Sequence, residues 1–374
     1  MSDMMRALVL LDDHGTFEMR DVPVPEIGDD DILVEVKGCG ICGGDYKRYM
    51  GPEHGGWYKM HLPVITGHEF AGVIAKLGRN VDKYWKVGDR IVSDNTGDAC
   101  GRCPTCARGN FVNCPQRKCI GVHMDGAFAK YVKVPGKILK MFPNCIMKIP
   151  DNMTFGQAAA MEPAANSYKA IVQEAALRPG ENVAIIGTGS LGLMAIQIAK
   201  INGAANIIAI GTTKDKAYRF KVAEKYGATH FFCTDEDEDI PAKIAEIVGE
   251  DGVPVVAEIA GPPQLTNLAM QIIRNEGRFV RVGMDDRPYN YGLNVLNFKS
   301  INYQGHKGYN TESWKNLLSL AKAGILDLQS YLTAEVPLEN WREGFEILRR
   351  GEAGPPAGAS PRGRLGIPGV FACN

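Results

Sequence analysis

Four cysteines in one short segment are the first residues whose spacing suggests chemistry. Cys100, Cys103, Cys106 and Cys114 follow the spacing C-x2-C-x2-C-x7-C within the segment DACGRCPTCARGNFVNC. Four thiolates this close together can surround a zinc ion as a tetrahedron, and the intervening Gly and Pro residues favour a tight loop. An iron–sulfur cluster could use the same ligands, and a chance group of free thiols is a third interpretation. A zinc site with four protein ligands has no position for water, so we predict a structural zinc.

A glycine-rich hexapeptide could hold phosphate groups. The run Gly187-Thr188-Gly189-Ser190-Leu191-Gly192 matches G-x-G-x-x-G, follows the apolar segment VAII and precedes a helical pattern. In dinucleotide-binding folds the first glycine permits a tight turn, the second admits the pyrophosphate and the third lets the helix pack on the strand. Backbone N–H groups at the start of the helix then hold the phosphates. A plain glycine-rich turn is the alternative, but the context favours dinucleotide binding.

The segment after the next predicted strand bears on the choice between NAD and NADP. An NAD-binding fold usually carries Asp or Glu about 20 residues after the fingerprint, where it binds the adenosine ribose. Here the strand NIIAI ends in Gly211-Thr212-Thr213-Lys214, and Arg219 follows one turn into the next helix. Glycine leaves room for a 2′-phosphate, two hydroxyls can donate to it and Lys214 adds positive charge. We therefore predict that NADP is preferred over NAD; the alternative is that Thr213 caps the helix and Asp215 meets the ribose of NAD.

Four further residues belong to types that bind zinc, although each alone is weak evidence. Cys42 lies in GCGICGGDYK, His68 and Glu69 in GHEFAGVIAKLG, and Glu162 in MEPAAN. With the motif KVGDRI, the four-cysteine segment and the glycine fingerprint in this order, the chain resembles the zinc-containing medium-chain alcohol dehydrogenase family. The resemblance extends over about residues 5–352, which is nearly the whole chain.

The resemblance implies a catalytic zinc. Cys42 and His68 match two of its ligands, and Glu69 matches the acid that enters or leaves the coordination shell. Glu162 stands where alcohol dehydrogenases of the family carry cysteine, and an acid there resembles the sorbitol, threonine and other polyol branches. A carboxylate in place of a thiolate makes the site harder and more open to water. With the structural site, the resemblance implies two zinc ions per chain.

The resemblance also implies an activity and an assembly. Zinc polarises the oxygen of a small polyol or secondary alcohol, or of the matching ketone or aldehyde, and a hydride passes to or from NAD(P). A homodimer or homotetramer is expected. A threonine-type amino-alcohol dehydrogenase and a non-catalytic relative of the crystallin or quinone-reductase kind are the alternatives. The intact zinc-ligand set argues against the second alternative.

The chain departs from the family where the substrate's proton is relayed. Family members commonly carry Ser or Thr two residues after the zinc cysteine, and this chain has Gly44. Water, Tyr46 or a carboxylate such as Asp45 would have to take the proton instead, so these two residues join the candidate catalytic set. Ala260 and Val282, which follow the predicted strands PVVAEI and GRFVR, are assigned to the cofactor.

These residues must be positioned by two kinds of secondary structure. Residues 1–155 are rich in Gly, Pro and β-branched residues and predict an irregular β-domain that carries the zinc sites. Residues 156–297 alternate strands with helices, which predicts a doubly wound Rossmann domain with a parallel sheet. Residues 298–352 return to the catalytic domain. The predicted fold class is thus α/β, with a Rossmann domain inserted into a β-barrel-like (GroES-like) domain; residues 353–374 are predicted to be an atypical, mobile tail.

The composition excludes other classes of protein. Apolar residues make up 45% and charged residues 23%, and the formal net charge of −1 favours neither nucleic acid nor an anionic membrane as a partner. No apolar run approaches the roughly 20 residues needed to span a bilayer. The start MSDMMRALVLLDDHG lacks the features of a signal peptide and reads as a first strand. We expect a cytoplasmic protein with a small hydroxylated substrate.

Overall fold

Chain contacts divide the molecule into two units. The computed structural model describes residues 3–52, 59–289, 292–332, 334–350 and 370–372. One unit comprises Met1–Glu162 and Asn310–Asn374, and the other comprises Pro163–Tyr309. The sequence predicts borders after residues 155 and 297, which differ from the observed ones. The first border falls inside a helix, and the second lies later because one more strand joins the parallel sheet.

The first part of the chain builds mostly short strands. Its elements are β1 (Met4–Leu10), β2 (Phe17–Pro23), β3 (Ile32–Gly40), α1 (Gly43–Met50), β4 (Val64–Ile65), β5 (Glu69–Leu77), β6 (Arg90–Ser93), β7 (Thr96–Asp98), α2 (Pro104–Ala107), β8 (Lys118–Cys119), β9 (Tyr131–Val134), α3 (Gly136–Met141), β10 (Ile146–Lys148) and α4 (Phe155–Ala159). The expected first strand is present as β1.

The central strand β3 organises this β-unit. Its residues Ile32, Val34 and Val36 are completely buried. β3 pairs antiparallel with β5 and β9, and β5 continues to β6 and β10 in one mixed sheet. A separate small sheet has the order β2-β1-β4. The alternation of buried positions follows from the two-residue period of a strand, which turns every second side chain into the core.

The second unit alternates strands and helices. Its elements are α5 (Met161–Tyr168), a π-helical continuation (Lys169–Glu174), β11 (Val183–Ile186), α6 (Ser190–Ile201), β12 (Ile207–Gly211), a 3-10 turn (Thr213–Asp215), α7 (Arg219–Lys225), β13 (His230–Cys233), α8 (Ile240–Val248), β14 (Val253–Glu258), α9 (Pro263–Ile272), β15 (Ile273–Arg281), α10 (Asn294–Phe298) and β16 (Asn302–Gly305).

The strands of this unit form one parallel sheet with the order β13-β12-β11-β14-β15-β16. This is the order of a doubly wound dinucleotide-binding fold, in which ligands bind beyond the carboxyl ends of the strands. All residues of β11, β12 and β14 are buried, as expected for strands covered on both faces. The predicted fold class is confirmed.

The acidic run at residues 235–240 does more than form a solvated loop. Asp239 caps the N-terminus of α8 and accepts a hydrogen bond from the N–H of Ala242 at 3.2 Å. Asp237 accepts one from the N–H of Cys233 at 2.7 Å. The carboxylates satisfy backbone donors that would otherwise lack partners at a helix start and a strand end.

The chain then returns to the β-unit through α11 (Thr311–Lys322), β17 (Glu335–Pro337), α12 (Trp341–Arg350) and β18 (Val370–Ala372). β18 pairs with β17 and with β3, where Val370 lies opposite Gly40. This part of the expected mobile tail is therefore a strand, because its backbone completes the hydrogen bonding at the end of β3. The remainder of the predicted tail, residues 353–369 and 373–374, lies outside the described residues. Within the described ranges, no helix combines the length and apolarity needed to cross a membrane.

Candidate active site

Two antiparallel strands bring the first three candidate ligands together. β3 and β5 pair so that Gly40 lies opposite Glu69. A Cβ at Gly40 would overlap Oε2 of Glu69, so a larger residue there would displace this carboxylate. Cys42 lies just beyond the end of β3 and caps α1, where its sulfur accepts a hydrogen bond from the N–H of Gly44 at 3.4 Å. His68 immediately precedes β5 and therefore lies at the same end of the strand pair.

Cys42, His68 and Glu69 form a compact donor cluster. One ligand atom of each lies within 4.8 Å of the others. Burial, followed by the charges of Asp45 and Glu162, raises the pKa of the Cys42 thiol to about 12. Burial also raises the pKa of Glu69. Acidic groups are thus concentrated where water is scarce, an arrangement that a bound cation would stabilise.

Asp45 and His68 form the next contact. The carboxylate Oδ2 of Asp45 lies 3.9 Å from Nδ1 of His68 and accepts a hydrogen bond from the N–H of Cys42 at 3.3 Å. Burial raises the pKa of Asp45. Burial alone would lower the pKa of His68, but the carboxylates of Asp45, Glu162 and Glu69 outweigh it and the pKa is raised. Asp45 therefore acts on the imidazole through its charge, without a hydrogen bond to Nδ1.

Glu162 lies apart from the three-residue cluster. It is 8% exposed, in the first turn of α5, and its charge acts on both Cys42 and Glu69. Its Oε1 accepts a hydrogen bond from the side-chain amide of Asn95 at 3.2 Å. Asn95 belongs to no motif in the sequence, and nothing in the segment SDNTGD pointed to it. Tyr46 is half-buried on α1.

The four cysteines of the second predicted site also lie together. Their four sulfur atoms all lie within 4.8 Å of one another, and they belong to Cys100, Cys103, Cys106 and Cys114. Backbone N–H groups point at the sulfurs: that of Cys103 donates to Cys100 at 3.3 Å, and that of Cys100 donates to Cys114 at 3.4 Å. Hydrogen bonds from the Thr105 hydroxyl and the Cys106 N–H lower the pKa of Cys103 to about 6. The loop therefore favours the thiolate of Cys103, whereas burial raises the pKa of Cys106 to about 12, so a bound cation would be needed to stabilise that thiolate.

The glycine fingerprint forms the turn between β11 and α6. Gly187 has φ of +105°, in the region that favours glycine. An added Cβ at Gly192 would collide with the carbonyl oxygen of Gly187. A Cβ at Gly189 would meet nothing within 4 Å, so this position faces open space. The first and third glycines permit the turn and the packing of α6, and the second leaves room for a phosphate above the helix start, where Ser190 and Leu191 follow.

The tip of β12 differs from the expected phosphate pocket. The Asp215 carboxylate bends back over it: Oδ2 accepts from the N–H and hydroxyl of Thr212 at 2.8 and 3.0 Å, and Oδ1 accepts from Arg219 at 2.8 Å. The Thr213 hydroxyl donates to Asp235 at 2.7 Å. A Cβ on Gly211 would lie 2.7 Å from Asp215 Oδ2.

These contacts involve three of the side chains that the sequence interpretation assigns to a 2′-phosphate. The hydroxyls of Thr212 and Thr213 are engaged by carboxylates, and Arg219 is paired with one. Lys214 is exposed. An acid does stand at the strand tip, because a 3-10 turn carries Asp215 back over four residues. This is the residue named in the alternative interpretation, in which Asp215 meets the ribose of NAD.

An ion pair at the ends of β14 and β15 is a feature that the sequence motifs did not indicate. Glu258 is completely buried and its Oε1 accepts from the N–H groups of Ala260 and Gly261 at 2.8 and 2.6 Å, while Oε2 pairs with Arg281. Val282 N–H donates to the carbonyl of Glu258 at 2.8 Å. The predicted cofactor residues Ala260 and Val282 thus lie on one loop cluster at the carboxyl edge of the sheet.

Comparison with known proteins identifies related families. The model of the alcohol dehydrogenase GroES-like domain matches residues 28–144, and that of the zinc-binding dehydrogenase domain matches residues 190–323. The chain is 38% identical over 337 residues to YdjL, an uncharacterised zinc-type alcohol dehydrogenase-like protein of Escherichia coli K12, covering 89% of this chain and 92% of YdjL.

Two other relatives have named activities. The D-arabitol-phosphate dehydrogenase of Enterococcus avium is 33% identical, with 88% of this chain and 90% of the relative covered. The L-threonine 3-dehydrogenase of Bacillus velezensis is 32% identical, with 95% and 98% covered. Among solved structures, a zinc-binding-dehydrogenase-like protein of Sinorhizobium meliloti 1021 bound to NADP matches with 27% identity, a TM-score of 0.82, and 99% and 100% coverage.

Proposed function

Because the chain belongs to the zinc-containing medium-chain alcohol dehydrogenase family, and is therefore a zinc-dependent and nicotinamide-dependent dehydrogenase, we propose that Cys42, His68, Glu69 and Glu162 hold its catalytic zinc. The observation that carries this proposal is the partly buried cluster in which a thiol, an imidazole and a carboxylate lie within 4.8 Å of one another. These three donor types are the protein ligands of zinc. When Glu69 leaves the coordination shell, three protein ligands would remain and the fourth position would be open to a water or a substrate oxygen.

The chemistry of this site divides between bound groups and protein side chains. Zinc held there would polarise the oxygen of an alcohol or ketone, and the nicotinamide would carry the hydride. The protein supplies the orientation: Asp45 accepts a hydrogen bond from the N–H of Cys42 and places its charge 3.9 Å from His68, and Asn95 donates a hydrogen bond to Glu162. Gly44 provides no hydroxyl, so the substrate's proton passes to water, Tyr46 or Asp45.

The substrate class follows from the side chains around the cluster. Asp45, Glu69 and Glu162 are between 3% and 8% exposed. Carboxylates in place of thiolates among the zinc ligands would make the metal site harder and more open to oxygen donors, which favours a substrate with several hydroxyls. A small polyol or a secondary alcohol with a second hydroxyl is the substrate we propose, and D-arabitol-phosphate dehydrogenase is a relative that acts on a polyol derivative.

An amino alcohol is the second candidate substrate. The same carboxylates would attract an ammonium group, and an L-threonine 3-dehydrogenase is 32% identical to this chain. The two candidates differ in charge. A polyol gains hydrogen bonds only, whereas an amino alcohol gains an ion pair that salt weakens. The salt dependence of KM therefore separates them as well as the rates do.

A second zinc is proposed at Cys100, Cys103, Cys106 and Cys114. Four cysteine sulfurs close the coordination sphere, so this zinc would stabilise its loop and would not bind substrate. The backbone N–H groups that point at the sulfurs support the thiolate form. The chain would then bind two zinc ions.

For the cofactor, the contacts at the tip of β12 favour NAD, the alternative to the NADP preference predicted from the sequence. Asp215 carries a negative charge where the adenosine ribose of a dinucleotide lies in this fold. It would accept a hydrogen bond from a ribose hydroxyl and repel a 2′-phosphate. Arg219, which could bind a phosphate, is already paired with Asp215 at 2.8 Å. Asp215 is thus proposed to set the preference.

A homodimer or a larger homo-oligomer is also proposed. All four residues of the edge strand β16 are exposed. Two large apolar side chains that precede this strand in the chain are also exposed: Phe298 is 85% exposed and Leu293 is 70% exposed. An exposed edge strand beside large apolar side chains is a surface that a second copy can cover. Light scattering on the purified protein, compared with a Phe298→Glu variant, tests this assembly.

One experiment tests the central proposal. The purified protein is analysed for metal, and hydride transfer is followed by absorbance with polyols, vicinal diols, secondary alcohols and L-threonine, each with NAD and NADP. We expect two zinc ions per chain and the highest catalytic efficiency with a hydroxyl-rich substrate. Absence of zinc from the Cys42 site, shown by an unchanged zinc content in Cys42→Ala, would contradict the proposed centre. A clear preference for L-threonine would contradict the polyol assignment.

A further inference from the structure

Asn95 is a buried polar residue that donates a hydrogen bond to the candidate metal ligand Glu162. It lies between β6 and β7, is 5% exposed and has φ of +56°. Its N–H donates to the Ser93 hydroxyl at 3.3 Å, and its carbonyl accepts from the N–H of Ile120 at 2.9 Å. A left-handed backbone is uncommon outside glycine, although Asn tolerates it better than most residues. The backbone of Asn95 is therefore held on both sides in an uncommon conformation.

The orientation of the Asn95 amide is set by Arg117. The guanidinium Nη2 of Arg117 lies 2.7 Å from one terminal atom of the amide and 3.2 Å from the Thr96 hydroxyl. A guanidinium can only donate hydrogen bonds, so the atom facing it must be the carbonyl oxygen Oδ1. The amide nitrogen then faces Glu162, where it donates to Oε1 at 3.2 Å. The reverse orientation would place two donors together and two acceptors together.

We propose that Asn95 is a positioning residue that sets the orientation of the Glu162 carboxylate toward the metal by donating a hydrogen bond to its Oε1. The inference rests on the catalytic zinc site proposed above. Hydrogen bonds of this kind select one orientation of a carboxylate ligand, and their loss usually lowers metal affinity by roughly 10- to 100-fold. Arg117 thus acts on Glu162 through the neutral amide of Asn95. No second positive charge is placed beside the metal.

The position of Glu162 in the chain explains why another residue is needed to orient its carboxylate. Glu162 lies 67 positions after Asn95 and stands outside the tight cluster of Cys42, His68 and Glu69. Glu69 is fixed by its strand pairing with Gly40, whereas Glu162 projects from the first turn of a helix. A glutamate side chain has several rotatable bonds, so a hydrogen bond to one oxygen is an effective way to restrict it.

The test uses Asn95→Gly, which keeps the left-handed backbone without strain and removes the amide. Zinc affinity is measured by competition with a chromophoric chelator, and the Co²⁺-substituted protein is examined by visible absorption. We expect zinc affinity at the Glu162 site to fall about 10- to 100-fold and the Co²⁺ bands to change. The matched control is Asn206→Gly, which removes an amide that donates to Asn182 at 3.0 Å in the other unit. This control should leave both readouts as in the parent.

A second pair of variants tests the orientation without touching Asn95. Arg117→Met removes the donor that fixes the amide, and Arg117→Lys retains a cationic donor. We expect Arg117→Met to weaken zinc binding. Arg117→Lys should bind zinc with an affinity closer to that of the parent. A role in folding alone would lower the melting temperature of these variants while leaving the Co²⁺ spectrum unchanged, and that result would overturn the proposal.

Glu162→Ala separates failure of this inference from failure of the zinc site itself. If Glu162→Ala weakens zinc binding and Asn95→Gly does not, the metal site stands and the role given to Asn95 is wrong. If Glu162→Ala and Cys42→Ala both retain the parent's zinc affinity, the proposed metal site is wrong, and the inference is overturned with it.

Discussion

Replacing Asp215 by Asn should move cofactor preference from NAD toward NADP. Asn has nearly the same shape, and its amide oxygen can still accept the hydrogen bond that the N–H of Thr212 gives at 2.8 Å. The substitution removes one negative charge. In the parent, Arg219 pairs with the Asp215 carboxylate at 2.8 Å, whereas in the variant it faces an uncharged amide group. Arg219 then becomes available to a 2′-phosphate.

Two electrostatic contributions set the expected size of this change in cofactor preference. A charge-assisted hydrogen bond from a ribose hydroxyl to the carboxylate contributes about 1.5–3 kcal/mol, which NAD loses in the variant. Two unit charges about 5 Å apart interact by roughly 3 kcal/mol at an effective dielectric constant near 20, and Arg219 offsets part of this repulsion in the parent. Taken together, the terms predict a shift of about 3 kcal/mol, or about 100-fold in the ratio of efficiencies.

The assay compares kcat/KM for NAD and NADP with one saturating substrate, in the parent and in Asp215→Asn. The control is Asp235→Asn, which removes an equal charge from an exposed residue that accepts a hydrogen bond from Thr213 at 2.7 Å. Exposed charges are screened, so this control should change the ratio little. A parent that prefers NADP, or a ratio unmoved by Asp215→Asn, would refute the reasoning. Adding an acid at Gly211 is not an equivalent test, because its Cβ would lie 2.7 Å from Asp215 Oδ2.

The remaining predictions concern the metal sites, the sheet edge and the missing relay hydroxyl. Cys103→Ala should remove one zinc and lower the melting temperature, by about 2–4 °C for each kcal/mol lost; metal analysis and calorimetry check this, and a variant that loses turnover but keeps its stability would contradict a structural role. Cys42→Ala should abolish turnover yet still bind NADH, seen as a change in NADH fluorescence, because the ligand cluster and the fingerprint belong to different units. Glu258→Gln should weaken NADH binding by roughly tenfold without changing zinc content, since the carboxylate holds the N–H groups of Ala260 and Gly261; unchanged NADH affinity would show that this loop does not support the cofactor. Gly44→Ser should fold normally, because a Cβ there would meet only the Cys42 sulfur at 3.8 Å, and it should raise kcat for a secondary alcohol if the new hydroxyl relays the proton; a kcat equal to that of the parent would mean that proton transfer does not limit turnover.

Much of the candidate site could be predicted because its signals are local. The four cysteines lie within one loop, so their spacing alone brings the sulfurs close together. The fingerprint glycines are required by a turn of six residues, where Gly187 needs a positive φ and Gly192 needs close packing against Gly187. The confirmed order of strands and helices in the parallel sheet also follows from short-range periodicity.

The choice between NAD and NADP depends on a turn whose geometry is not given by the number of residues between the strand end and the nearest acid. The sequence places Gly211 at the end of β12 and no acid beside it, yet the structure bends Asp215 back over that glycine. The 3-10 turn Thr213–Asp215 decides this, and its geometry depends on hydrogen bonds to Thr212 and on the pairing with Arg219. The tail prediction failed at Val370–Ala372 for a related reason, because a partner strand distant in the sequence decides whether a short segment pairs.

From the sequence by itself, spacings of a few positions predicted the four-cysteine site and the glycine fingerprint, and the alternation of strands and helices predicted the fold class. The resemblance to a family implied the reaction class and the candidate ligands of the catalytic zinc. Only the tertiary structure decided which side chains support them: Asn95 with Glu162, 67 positions apart, Arg117 with Asn95, 22 positions apart, and Glu258 with Arg281, 23 positions apart. Such contacts arise when strands pair and helices pack, and strand register sets them to within a few ångströms. A hydrogen bond has a narrow range of distance and angle, so a residue's ability to orient a ligand is a property of the packed chain and cannot be found in its spacing.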